Sequence, residues 1–97
     1  MANLLITRHP GAVDWAKKAG YQFDAFYSHL DDLTCVHSGD NCFGILPVNI
    51  AEQICAIGAS YYHLSLNLPS ELRGQELTAE QLESCNARFE QFVVVKR

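Results

Sequence analysis

The sequence has no long apolar run. No stretch approaches the ~20 residues that a membrane helix needs, and Leu4-Leu5-Ile6 is too short for the apolar core of a secretory signal. A cytoplasmic location is the expectation that follows. Positive charge is also scarce, with 7 Lys and Arg against 11 Asp and Glu and a net charge of −4. Sequence-blind binding to duplex nucleic acid needs a basic face that displaces counterions, and the charge balance argues against it. A small anion is still allowed, because a few cations can be focused in one pocket.

Paired cysteines are missing as well. Cys35, Cys42, Cys55 and Cys85 include no C-x-x-C, and Cys55 and Cys85 fall on apolar faces of predicted helices. Four free, mostly buried thiols in a reducing compartment fit better than a disulfide framework. No Walker-type loop and no G-x-G-x-x-G is present. No cysteine pairs convincingly with a histidine and an orienting group, which leaves thiol catalysis without support. Three prolines and six glycines are too few for a fibrous or disordered chain.

What is there is an ordinary globular composition, 48% hydrophobic and 19% charged. Its 97 residues suffice for one domain, 1–97, and leave no room for a second. A core of that size is marginal, so burying an apolar face in a homodimer would help.

The apolar run from Asn3 to Thr7 reads as a buried strand, broken by Pro10-Gly11. From Ala12 the spacing turns helical: Ala12, Trp15, Ala16 and Ala19 share a face, Lys17 and Lys18 suit the C-terminal end, and Gly20 caps it. Phe23–Leu30 reads as a second strand and Cys42–Leu46 as a third, with residues 31–40 as connector. That connector is short for a crossover helix, so the second and third strands are expected to be antiparallel or distant. Pro47 falls where a helix would have its first residue, Ile50, Ala51, Ile54, Cys55 and Ile57 form an apolar face, and Gly58 ends it. Ser60–Leu66 alternates as a fourth strand. Thr78 with Gln81 forms a capping box for a third helix, whose buried stripe would be Leu82, Cys85 and Phe89; Phe92–Lys96 closes the chain as a fifth strand. The order predicts an α/β, Rossmann-like domain: a mostly parallel sheet of about five strands covered by three helices.

Ligands in open α/β sheets bind outside the carboxyl ends of the strands. Those ends are Thr7-Arg8-His9, Leu46-Pro47 and Ser65-Leu66-Asn67. The first is the strongest candidate, since a strand-to-helix turn gathers backbone amides and the positive end of a helix dipole. There Arg8 can grip a phosphate through two parallel hydrogen bonds, and His9 can move a proton near neutral pH. A surface ion pair for Arg8 and a loop-capping role for His9 are the plainer readings. Thr7, Pro10, Gly11, Leu46, Pro47, Ser65, Asn67 and Arg73 are the accompanying candidate ligand contacts; turn chemistry accounts equally for Ser65 and Asn67, and Arg73 on a loop is a phosphate clamp or simply solvated. His63 reads as a satisfied strand histidine. His29 with Asp31-Asp32 reads as structural, because two ligands are too few for a zinc claim. No metal and no cofactor is expected. A histidine phosphatase is rejected: Pro10 stands where its Arg-His-Gly turn needs glycine, and the chain is too short.

Leu5-Ile6-Thr7-Arg8-His9-Pro10-Gly11-Ala12 followed by Trp15 resembles the opening of a small family found with type III CRISPR systems, the Csx-type family numbered sixteen. His29-Leu30-Asp31, Gly39-Asp40, Gly44-Ile45-Leu46-Pro47, His63-Leu64-Ser65-Leu66, Leu68-Pro69 and Glu71-Leu72-Arg73-Gly74 extend the resemblance over nearly the whole chain, with Gln22–Tyr27 and the C-terminal tail the poorest match. The resemblance implies a CARF-like fold and a ring nuclease that degrades cyclic tetra-adenylate, the messenger of type III effectors, thereby switching the antiviral response off. The ribose 2′-OH would attack the adjacent phosphate without a metal and leave 2′,3′-cyclic phosphate ends. Arg8 and His9 would be the catalytic residues, and a homodimer would set two such turns over opposite phosphodiesters of the cyclic tetranucleotide. A binding module that sequesters the messenger, or an adaptor subunit of an effector, are the competing readings.

Overall fold

Why the run Asn3–Thr7 is apolar without alternation follows from where it lies. In a computed structural model that describes residues 1–30 and 32–97, strand β1 (Asn3–Ile6) is interior to the sheet. Leu4 and Ile6 pack on one face and Leu5 on the other, each at most 4% exposed. A strand covered on both sides has no wet face on which to place polar residues.

Among the described residues, five strands form one sheet. Strand β2 (Ala25–Tyr27) and strand β3 (Asn41–Gly44) flank β1, both parallel to it, so the second and third strands are indeed distant. Strand β4 (Ser60–Ser65) lies parallel to β3, and strand β5 (Arg88–Phe92) runs antiparallel along its outer side. The order is β2-β1-β3-β4-β5. Helix α1 (Pro10–Lys18) covers one face with Ala12, Trp15 and Ala16; helix α2 (Val48–Ile57) covers the other with Ala51 and Ile54. Helix α3 (Ala79–Ser84) joins α1, where Trp15 Nε1–H donates to Glu83 Oε2 at 2.7 Å. The architecture is α/β and Rossmann-like, as its pattern of elements predicts.

Several boundaries differ from expectation. Pro10 opens α1 as its first residue, two positions before Ala12. Pro47 does not open α2; its extended ψ of 146° makes it the residue before the first turn. The capping box of α3 forms as read, with Thr78 Oγ1 accepting from Gln81 N–H and Gln81 Oε1 accepting from Thr78 N–H. However, α3 stops at Ser84, because Asn86 takes the left-handed conformation (φ 58°) and Ala87 N–H turns back to Leu82 C=O. Phe89 therefore belongs to β5 and not to a helical stripe. It enters the same core regardless, 5.5 Å from the Trp15 ring and 5.0 Å from Phe43. The fifth strand is displaced to Arg88–Phe92, and the valines expected to form it lie beyond, with Val93 and Val95 each 76% exposed.

The connector between β2 and β3 is closed by Asp40, which is buried and accepts the N–H groups of Ala2 (3.0 Å) and His37 (2.9 Å). Those two donors, Ala2 first, hold its carboxyl below the usual carboxylate range. Asp31 lies outside the described residues. Among those described, no helix is long and apolar enough to cross a membrane.

Candidate functional site

From β1 the chain crosses to β2 on one side, and from β3 it crosses to β4 on the other, with α1 and α2 on opposite faces. The direction of winding reverses between β1 and β3. At such a point the helices diverge and leave a crevice outside the carboxyl ends of the two strands. Gly44 ends β3 there with φ 151°, and a Cβ on it would stand 2.2 Å from Ile6 C=O. Only glycine lets the two strand ends approach so closely.

The β1–α1 turn is held from both sides. Thr7 N–H donates to Tyr27 C=O at 2.9 Å, extending the β1–β2 pairing by one bond, and Thr7 Oγ1 accepts His9 N–H at 3.1 Å. The turn from β3 into α2 is held from beneath: the Tyr61 hydroxyl accepts Leu46 N–H at 3.1 Å and lies 2.7 Å from His63 Nδ1. Burial pushes the Tyr61 hydroxyl above its ordinary range. His63 is thus a half-buried, bonded strand residue, in line with its plainer reading.

Between these turns lies a cleft of about 390 Å³ whose lining includes Thr7, Arg8, His9, Ser28, His29, Leu46 and Pro47. Arg8 is exposed and makes no hydrogen bond or ion pair with any described residue. No carboxylate occurs among the described residues that line the cleft. Both helices begin at it, and neither N-cap, His9 nor Pro47, supplies a capping side chain; neither first turn contains an acidic residue. Two helix N-termini without side-chain caps, a guanidinium with no partner among the described residues and no carboxylate in the described lining make this a place for an anion.

His9 is oriented by a residue far away in sequence. Its Nδ1 lies 2.6 Å from Glu76 Oε1, with both side chains largely exposed. An ionised carboxylate only accepts, so Nδ1–H donates and Nε2 is left to bind or release a proton. The loop carrying Glu76 reaches this turn because Gly11 has no side chain: a Cβ there would fall 1.8 Å from Leu77 C=O.

On the α1–α3 face of the same turn is a second, smaller pocket of about 170 Å³, walled mainly by leucines. Thr7, His9 and Ile45 line both hollows.

The sequence candidates divide accordingly. Thr7, Arg8, His9, Leu46 and Pro47 meet at the first cleft. Pro10 and Gly11 form the first turn of α1 and border a separate shallow groove with Asp14 and Glu80. Ser65 pairs with Arg88 at the end of β4, Asn67 N–H donates to Cys85 C=O at 2.7 Å, and Arg73 is exposed just beyond a short 3₁₀ turn (Ser70–Leu72). None of these three lines either hollow.

Two residues escape sequence reasoning. His29, read as structural, stands in the cleft because β2 ends at Tyr27 and not at Leu30, placing His29 past a strand's carboxyl end. Glu76 carries no local signal at all. Among the described residues, no group of three His, Cys, Asp or Glu side chains could hold a metal ion.

A family model described as "Putative CRISPR-associated protein (Cas_VVA1548)" matches residues 4–95. No curated protein and no solved structure matches the chain.

Proposed function

Because the chain belongs to this CRISPR-associated family, we propose that it is a ring nuclease that opens cyclic oligoadenylates, cyclic tetra-adenylate foremost, and so ends type III antiviral signalling. The observation that carries this reading is Arg8, which has no partner among the described residues, in a cleft free of carboxylates among its described lining and flanked by two helix N-termini without side-chain caps. Such a site suits a phosphodiester, whose charge grows in the transition state.

The reaction asks little of the protein. The ribose 2′-oxygen attacks the adjacent phosphorus, the P–O5′ bond breaks, and a 2′,3′-cyclic phosphate and a 5′-hydroxyl result. The 2′-OH proton is lost to solvent or a nearby base, and the departing 5′-oxygen gains one. Arg8 and the helix amides offset the extra negative charge on the phosphorane. His9, with Nδ1–H held by Glu76, delivers the proton to the 5′-oxygen from Nε2. Holding the 2′-OH in line supplies much of the remaining acceleration. The nucleophile belongs to the substrate, and no step calls on a metal.

A homodimer completes the picture. A cyclic tetranucleotide contains a two-fold axis, so a two-fold dimer sets one Arg8 turn over each of two opposite phosphodiesters. One arginine per chain then becomes two per ligand, which answers the net charge of −4.

The test is incubation of the purified protein with cyclic tetra-adenylate, with and without chelator, beside Arg8→Ala, followed by chromatography. Chelator-resistant conversion to linear products, lost in Arg8→Ala, is expected. Intact messenger that co-elutes with the protein would replace the enzyme by a binding module. Neither cleavage nor binding would overturn the reading entirely.

A further inference from the structure

We propose that the leucine-walled pocket beside the His9 turn is the seat of one adenine base of the ligand, with Glu76 and Gln75 at its mouth reading the exocyclic amine. The proposal rests on the cyclic oligoadenylate reading above and assigns a different part of the ligand to a different hollow.

Size and lining come first. The pocket holds about 170 Å³, and an apolar cavity of about 150 Å³ takes up one benzene ring. A flat heterocycle that stays partly in the open mouth fits this space; a hydrated sugar phosphate does not. Leu5, Leu64 and Leu82 form its buried walls, and Leu66, Leu68 and Leu77 lie nearer the surface. An anion would gain nothing from such walls, whereas an aromatic ring gains by losing its water there.

Gln75 and Glu76, both exposed, are the polar residues that the loop before α3 adds to the lining. Glu76 uses Oε1 on His9, which leaves Oε2 as an acceptor. Gln75 Nε2 donates to Glu71 C=O at 3.0 Å, so its side-chain oxygen is also left to accept. Two acceptors at the mouth suit the N–H bonds of an aminopurine and repel the carbonyl that inosine carries at that position.

Continuity with the anion cleft is the third observation. Thr7, His9 and Ile45 line both hollows, one on each side of the turn. A nucleotide can thus lay its phosphate against Arg8 and turn its base under the leucines, with His9 between the two. Glu76 then has two tasks, orienting His9 and reading the base, which couples recognition of adenine to the proton-moving group.

The experiment follows leucine methyl resonances while adenosine monophosphate, inosine monophosphate or inorganic phosphate is added to the full chain, unmodified and as Leu68→Trp. The larger indole side chain would fill the pocket from its exposed rim. Expected are shifts of the Leu64, Leu66 and Leu82 methyls with the adenosine nucleotide, binding about tenfold or more tighter than that of the inosine nucleotide, and a comparable loss in L68W. Inorganic phosphate has no base, and its binding is expected to depend on Arg8 and not on Leu68. Equal affinity for the two nucleotides, or leucine methyls that stay still, overturns the seat, as does an L68W protein that binds the adenosine nucleotide undiminished. Cleavage of cyclic tetra-adenylate with those methyls unmoved overturns the seat and leaves the nuclease reading intact. The base seated as described without turnover of the cyclic tetranucleotide supports the seat and overturns the nuclease reading.

Discussion

His9 Nδ1 and Glu76 Oε1 lie 2.6 Å apart across 67 positions of sequence. The pair ties the turn after the first strand to the loop before the last helix, and it engages Nδ1 of His9 rather than Nε2.

Glu76→Gln keeps the shape of that contact but removes the carboxylate that favours a protonated Nδ1. On the proposed ring-nuclease reading, turnover of cyclic tetra-adenylate is expected to fall about 10- to 100-fold, part of the roughly 10²–10⁴ that a positioned general acid contributes. Stability should stay within about 0.5 kcal/mol, since the pair is exposed. A chromatographic rate assay beside a thermal melt checks both, and an unchanged rate would show that His9 needs no orienting partner.

Gly44→Ala tests the close approach of β1 and β3. The added methyl would meet Ile6 C=O at 2.2 Å and the residue would hold an unfavourable φ of 151°. Backbone strain alone costs about 1–3 kcal/mol, with the clash on top. Urea unfolding should show a loss of at least that size; a neutral result would mean the strand ends can part freely.

Tyr61→Phe removes the hydroxyl that accepts Leu46 N–H. An orphaned buried amide costs about 1–3 kcal/mol, and this half-buried one should cost about 1 kcal/mol, the low end of that range. The same substitution loosens the turn that carries Pro47 into the cleft, so affinity for cyclic tetra-adenylate should fall together with the urea midpoint. Loss of stability without loss of affinity would confine Tyr61 to the core.

Asp40 titrates below the usual carboxylate range because Ala2 and His37 donate to it in the folded chain. A carboxyl whose folded value is depressed stabilises the fold above its unfolded value near 4, and that stabilisation is lost as pH falls through the lower, folded value. Asp40→Asn should therefore lower the urea midpoint at pH 7 and flatten its decline below pH 4. Parallel pH profiles for the two proteins would assign the acid sensitivity elsewhere.

Burial raises the Cys42 thiol to about 12, with Asp40 nearby adding to the shift. At pH 8 iodoacetamide should label the half-buried Cys35 and Cys55 first and leave Cys42 until the chain unfolds. Peptide mass spectrometry gives the order, and early labelling of Cys42 would show that the core opens there.

By itself the sequence determined those features that act within a turn or two of chain. The apolar run at Leu4-Leu5-Ile6 marks an interior strand, the capping box of Thr78 and Gln81 starts α3, and Pro10 and Pro47 lie at the starts of α1 and α2, because each depends on neighbours in sequence. The Arg8-His9 turn was legible for the same reason, and the resemblance to a CRISPR-associated family agrees with the family that matches residues 4–95. Only the tertiary structure decided the rest. Val93 and Val95 look like strand residues, yet pairing with β4 stops at Phe92, since it is Phe89 that reaches the aromatic core. That His29 shares a cleft with Arg8 depends on where β2 ends against β1, and that Glu76 meets His9 depends on Gly11 admitting the backbone of Leu77. Such contacts join residues tens of positions apart, so no local period or turn signal encodes them; packing brings them together only once the strands are ordered.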